Sequence, residues 1–114
     1  SVIKIFLHIS KDEQKKRFID RIDEQEKNWK FSMGDLPERA LWDQYMSAYE
    51  EAINETSKDY APWFVIPADD KWFARIAAIQ IIIDALEDMK LKFPKLSEAD
   101  QKELASAKKQ LENE

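Results

Sequence analysis

The sequence predicts an α/β fold in which two parallel strands carry a predominantly helical remainder. Three observations predict it. Residues 2–9 (VIKIFLHI) and 61–67 (APWFVIP) are short runs rich in β-branched and aromatic residues, the length and composition of strands. The long connection between them has apolar residues at three- and four-residue spacing, which makes a helical crossover between parallel neighbours. The segment after the second strand is apolar almost all round, as a helix against such a sheet would be.

Taken in order, the first strand is apolar on both faces apart from Lys4 and His8, which predicts burial on both sides. His8 falls at its carboxyl end and reads as a structural residue, although open α/β sheets bind ligands at that edge. Ser10 and Glu13 form a capping box for a helix that runs to about Glu24. Phe18, Ile19 and Ile22 make its apolar face. Residues 27–32 break the helical pattern and read as a loop pinned by Trp29 and Phe31. Asp35, Pro37 and Glu38 open a second helix to about Glu55, with Asp35 as its cap and an aromatic stripe of Trp42, Tyr45 and Tyr49 that reads as core. Pro62 and Pro67 bracket the second strand, where prolines are tolerated. Asp69 or Asp70 caps a third helix, about 71–89, whose apolar surface calls for cover on most sides. Pro94 stops the chain's helical run, and 97–100 start a thinly striped C-terminal helix, expected to fray or dock loosely. The expected division is therefore 1–94 and a tail, 95–114.

The 114 residues suffice for one domain with a modest core, and 44% apolar with 36% charged residues excludes a disordered chain. Without cysteine there is no disulfide, thiol catalysis or zinc–thiolate site, a composition that fits a reducing cytoplasm. No apolar run has the roughly 18 residues of a membrane span. A single glycine, Gly34, excludes glycine-rich phosphate loops, dinucleotide loops and nucleophile elbows. Two strands do not make an independent sheet, and the apolar surface exceeds what these elements bury. With a first residue that is Ser rather than Met, the expectation is a piece of a larger α/β domain or a strongly associating homo-oligomer.

The chemistry concentrates in residues 11–32. Lys11, Lys15, Lys16, Arg17, Arg21, Lys27 and Lys30 crowd this stretch. Arg17 and Arg21 share a helix face, and Lys27 and Lys30 flank Trp29 just beyond it. Guanidinium and ammonium groups converging from a helix and the segment after it hold a ligand with several negative charges. Spacing alone also permits a solvated charged face, compensated by Glu13, Asp20 and Glu24. The net charge is −5 and acids interleave the bases, so nucleic acid is not the expected ligand.

The runs RFIDRIDEQEKNWKFSMGD, RALWDQYMSAYEEAINET and APWFVIPADDKWFARI resemble the C-terminal half of the family 2 polyphosphate kinases. The resemblance extends over residues 3–94 with three motifs in order. It implies part of a P-loop kinase-like three-layer fold. It also implies phosphoryl transfer between inorganic polyphosphate and a nucleoside mono- or diphosphate, with Mg2+. The family's phosphate loop and magnesium-holding acidic motif lie in its other half, so the fragment alone is expected to be inactive and metal-free. Residues 11–35 fall on the family's lid. Arg21 and Arg17 fall on the lid arginines, the expected catalytic groups. Lys27 and Lys30 fall on its K-x-W-K segment, and Asp69, Lys71, Trp72 and Arg75 on the motif after the late strand, with Lys71 and Arg75 as candidate substrate contacts. Gln25 stands where the family often has proline. The alternative is a free-standing helical interaction or anion-binding module that associates through exposed apolar surface.

Overall fold

The computed structural model describes residues 1–114. It forms two compact units, Ser1–Asp84 and Ala85–Glu114. Strand β1 (Lys4–His8) and strand β2 (Trp63–Pro67) pair in parallel, with Lys4 opposite Trp63 and His8 opposite Pro67. The connection between them holds α1 (Lys11–Asp23), a 3-10 helix (Gln25–Lys30), α2 (Asp35–Ala40) and α3 (Trp42–Thr56). Helix α4 (Lys71–Asp88) follows β2.

The side-chain period of two assigns each strand face to a different helix. Ile5 and Ile66 point to α4, where they pack with Ala74, Ala77, Ala78 and Ile81. The small alanine side chains let α4 approach the sheet closely. On the other face, Phe6 meets Tyr49 of α3, with ring centroids 4.9 Å apart, and the Trp63 indole N–H donates to the Thr56 hydroxyl, 2.7 Å. The result is three layers, helix on sheet on helix. The fully buried core is small: Ile66, Ala68 and Ala74.

Several local expectations change. Burial of the strands on both sides is not realised: Leu7 and Val65 are more than half exposed, because each strand has a neighbour on one edge alone. Helix α4 likewise buries only Ala74, leaving Trp72, Ile76 and Ile79 open, since a two-stranded sheet covers one narrow stripe of it. The residues after α1 are not a loop but the 3-10 helix. Of the two aromatics there, only Phe31 is anchored, edge-on to Phe18 at 5.8 Å, while Trp29 is 79% exposed. The helix expected over 35–55 is broken at Leu41 into α2 and α3. Asp35 does not cap: its carboxylate accepts from the Ser32 N–H, and Gly34 occupies the cap position. Tyr45 and Tyr49 are part-exposed rather than core, and the Tyr45 hydroxyl donates to Glu38, which raises the tyrosine's pKa.

In the second unit, α5 (Glu98–Glu112) is capped by the Ser97 hydroxyl, which accepts from the Asp100 N–H at 3.1 Å. It is a continuous helix of four turns with no buried residue. No helix is long and apolar enough to cross a membrane.

Candidate anion-binding site

Both strands end at the same edge, and two helices begin there. Ser10 caps α1, its hydroxyl accepting from the Glu13 N–H at 3.0 Å. The Glu13 carboxylate does not close the capping box. It turns instead to Arg17 Nε, 3.0 Å away, an i,i+4 ion pair. Asp70 caps α4, its carboxylate accepting from the N–H groups of Trp72 and Phe73.

Two ties cross this edge. The Ser10 N–H donates to Asp69 Oδ1 at 2.7 Å, joining the turn after β1 to the turn after β2. The Arg17 guanidinium donates to the carbonyl oxygens of Ala68, at 2.9 Å, and Asp69, at 3.4 Å. The hydrogen bonds from Ser10, and the nearby Arg17 charge, hold the Asp69 carboxyl below its ordinary value. A depressed carboxylate stabilises the fold fully above the ordinary carboxylate range, and that contribution is lost as pH falls through the lowered folded value. Asp69→Asn should therefore lower the urea midpoint at neutral pH, with the difference closing in strong acid. A difference that stays constant down to the acid limit would refute the tie's role.

Against this edge lies a cavity of about 210 Å³ lined by Arg17, Asp20, Arg21, Lys27, Lys30 and Lys71. Helix α1 contributes the first three, the 3-10 helix the two lysines, and the first turn of α4 Lys71. Five cationic side chains share the space with one carboxylate. Their availability differs. Arg17 is committed to Glu13 and to the backbone after β2. Arg21 holds its guanidinium over the Phe18 ring, 6.0 Å from the centroid, and forms no ion pair. Lys27 is paired with Glu24 at 2.8 Å, which raises its pKa. Lys30 sits over Trp29, 5.3 Å from the ring centroid.

Five of the six residues singled out from the sequence thus line one cavity. The sixth, Arg75, stands apart, stacked over Trp72 at 5.5 Å. Two participants escaped sequence reasoning. Asp20 looked like helix-surface compensation, yet it is the cavity's carboxylate. Asn28 lies between the two lysines and carries no charge, but its side-chain amide donates to three carbonyl oxygens at the end of α1. An asparagine five residues past a helix end was the available signal.

An anion with several charged oxygens suits this lining, because guanidinium and ammonium groups donate charge-assisted hydrogen bonds from three directions. A divalent cation does not: Asp20 stands among five cations, Asp69 and Asp70 are engaged by backbone N–H groups, and no three His, Asp or Glu side chains cluster.

Comparison with known proteins gives this arrangement its context. A model described as polyphosphate kinase 2 (PPK2) matches residues 1–94. An uncharacterized protein in the chlN 3' region of Leptolyngbya boryana is 55% identical over 99% of this chain and 83% of its own length. An ADP-polyphosphate phosphotransferase of Rhodopseudomonas palustris is 52% identical over 96% of this chain, which spans 38% of that relative's length. The crystal structure of polyphosphate kinase 2 from Arthrobacter aurescens TC1 superposes with a TM-score of 0.79 at 50% identity, covering 92% of this chain and 38% of that one. The family model covers most of the chain and the structural match agrees with it, and the chain belongs to the polyphosphate kinase 2 family.

Proposed function

We propose that this chain supplies the phosphate-holding part of a polyphosphate-dependent nucleotide phosphotransferase. The observation that carries the reading is the convergence of Arg17, Arg21, Lys27, Lys30 and Lys71 on one cavity at the carboxyl edge of the sheet. The substrates are inorganic polyphosphate and a nucleoside mono- or diphosphate, the second in keeping with the name of the Rhodopseudomonas relative.

Phosphoryl transfer asks mainly for alignment of donor and acceptor and for neutralisation of charge on the equatorial oxygens. Arg21, the unpaired guanidinium, lies against the reacting phosphates. Arg17 contributes charge from a fixed position on the sheet edge. Lys27, Lys30 and Lys71 run the polyanion past them. Residues 11–35 act as a lid, and closure removes water that would otherwise hydrolyse the donor. Mg2+ would supply neutralisation of phosphate charge, but no three His, Asp or Glu side chains of this chain cluster to hold it, so the chain's own part is to bind and align polyphosphate rather than to turn it over. The setting is the cytoplasm, where nucleotide and polyphosphate meet.

The test takes the open reading frame that encodes this chain, from its own start codon, and incubates the product with Mg2+, polyphosphate and AMP, ADP or GDP in turn. Phosphorylated nucleotide supports the reading. A folded product that neither phosphorylates any acceptor nor binds polyphosphate overturns it.

A second reading has its own observation. Trp72, Ile76, Ile79 and Ile83 leave α4 open over much of its length, a surface suited to self-association. A homo-oligomer in sedimentation, dispersed by Ile76→Glu, would support an association module. A monomer at all concentrations would dismiss it.

A further inference from the structure

We propose that Asn28 is the positioning residue of the anion site: it fastens the Lys27–Lys30 segment to the end of α1, so that the two lysines and Arg21 present one rigid charge pattern. The inference rests on the phosphate-holding reading above and adds a residue that carries no charge and lies outside the cavity lining.

The last carbonyl groups of a helix have no partner within it. Helix α1 ends at Asp23, and its C-terminal carbonyl oxygens face the segment that follows. Asn28 Nδ2 donates to the carbonyls of Ile22 at 2.7 Å, Arg21 at 2.8 Å and Glu24 at 3.1 Å. One of these bonds ends on the backbone carbonyl of Arg21, the residue whose guanidinium lines the cavity. The same Asn28 is one residue from Lys27 and two from Lys30.

Beyond the half-exposed Lys27–Glu24 ion pair, 2.8 Å, little else fixes this segment. It is a six-residue 3-10 helix, longer than that geometry usually sustains alone. Trp29 is exposed and anchors nothing. The Lys27 N–H donates to the Glu24 carbonyl, 2.9 Å, and the Phe31 N–H to the Asn28 carbonyl, 3.1 Å, both short-range bonds. Phe31 against Phe18 holds only the far end. The Asn28 amide therefore joins segment and helix as one body, and any movement of a lid over phosphate carries Arg21, Lys27 and Lys30 together. Pre-set charges lose less freedom when the ligand arrives, so the anchoring appears as affinity.

The experiment uses the chain with Asn28→Ala, Lys30→Ala and both together. Without ligand, amide exchange of residues 27–31 is followed, with β2 and α4 as the internal control for folding. Affinity for inorganic polyphosphate of defined length is then measured by calorimetry at low salt. Asn28→Ala should speed exchange in 27–31 alone and weaken binding by roughly three- to tenfold. Lys30→Ala should cost a smaller factor in the Asn28→Ala background than in the native one, because a lysine no longer held in place contributes less. Unchanged exchange overturns the anchoring. Faster exchange with native affinity, or with equal Lys30→Ala factors in both backgrounds, overturns the positioning role while leaving the phosphate site standing. Faster exchange in a chain whose native form binds no polyphosphate overturns the phosphate-holding reading and the role of Asn28 with it.

Discussion

Replacing Arg17 with alanine should lower the unfolding free energy by roughly 1.5–3 kcal/mol, the range for hydrogen bonds made by a charged group. Its guanidinium bridges Glu13 on its own helix and the carbonyls of Ala68 and Asp69 beyond β2. Ala68 is 5% exposed, so truncation strips a partner from a carbonyl that water reaches poorly. The buried core comprises three residues, and no large apolar reserve offsets the loss. Arg17→Lys should recover only part of it, because one ammonium cannot span the positions that the planar fork occupies. Urea unfolding of both variants checks this. An Arg17→Ala chain as stable as the native one would show that the tie adds nothing beyond what water supplies. Binding of polyphosphate should fall in the same variant, so Arg17 cannot be assigned from activity alone.

Arg21→Ala should behave in the opposite way. The side chain makes no ion pair and rests on one aromatic ring, so stability should stay within about 0.5 kcal/mol. Polyphosphate affinity should drop about tenfold, and the slope of log affinity against log salt should shrink by about one, as for any lost phosphate contact. In a complete phosphotransferase, turnover should fall by roughly 10²–10³, the scale for removing one donor aimed at developing charge. Unchanged affinity and salt slope in the folded variant would remove Arg21 from the site. Measured together, the two variants separate a guanidinium that builds the edge from one that serves the ligand.

The sequence treats these arginines as equals, four apart on one helix face. The partner that divides them lies 51 residues away, at Ala68, and no local pattern announces it. The same limit explains the other departures. The Ser10 cap, the two strands and the start of α4 are legible because capping and β-branched composition act within a few residues. The 3-10 helix is not, since Asn28 folds it back onto carbonyls whose availability depends on where α1 ends. Residue type makes Trp29 an anchor, whereas its exposure depends on what stands opposite. The break at Leu41 interrupts an apolar spacing that runs through both helices.

The inventory is legible from the residues alone: two strands expected to be parallel, helices with their starts, and a concentration of cations around residues 11–32. These follow from periodicity, capping and composition, which are short-range. It takes the folded arrangement to show that Lys71, 41 residues beyond Lys30, joins them while Arg75, one turn later, does not. Asp70 sets where α4 begins, the ties through Ser10, Asp69 and Arg17 bring that start beside α1, and one helical turn of 3.6 residues carries the next cation out of reach.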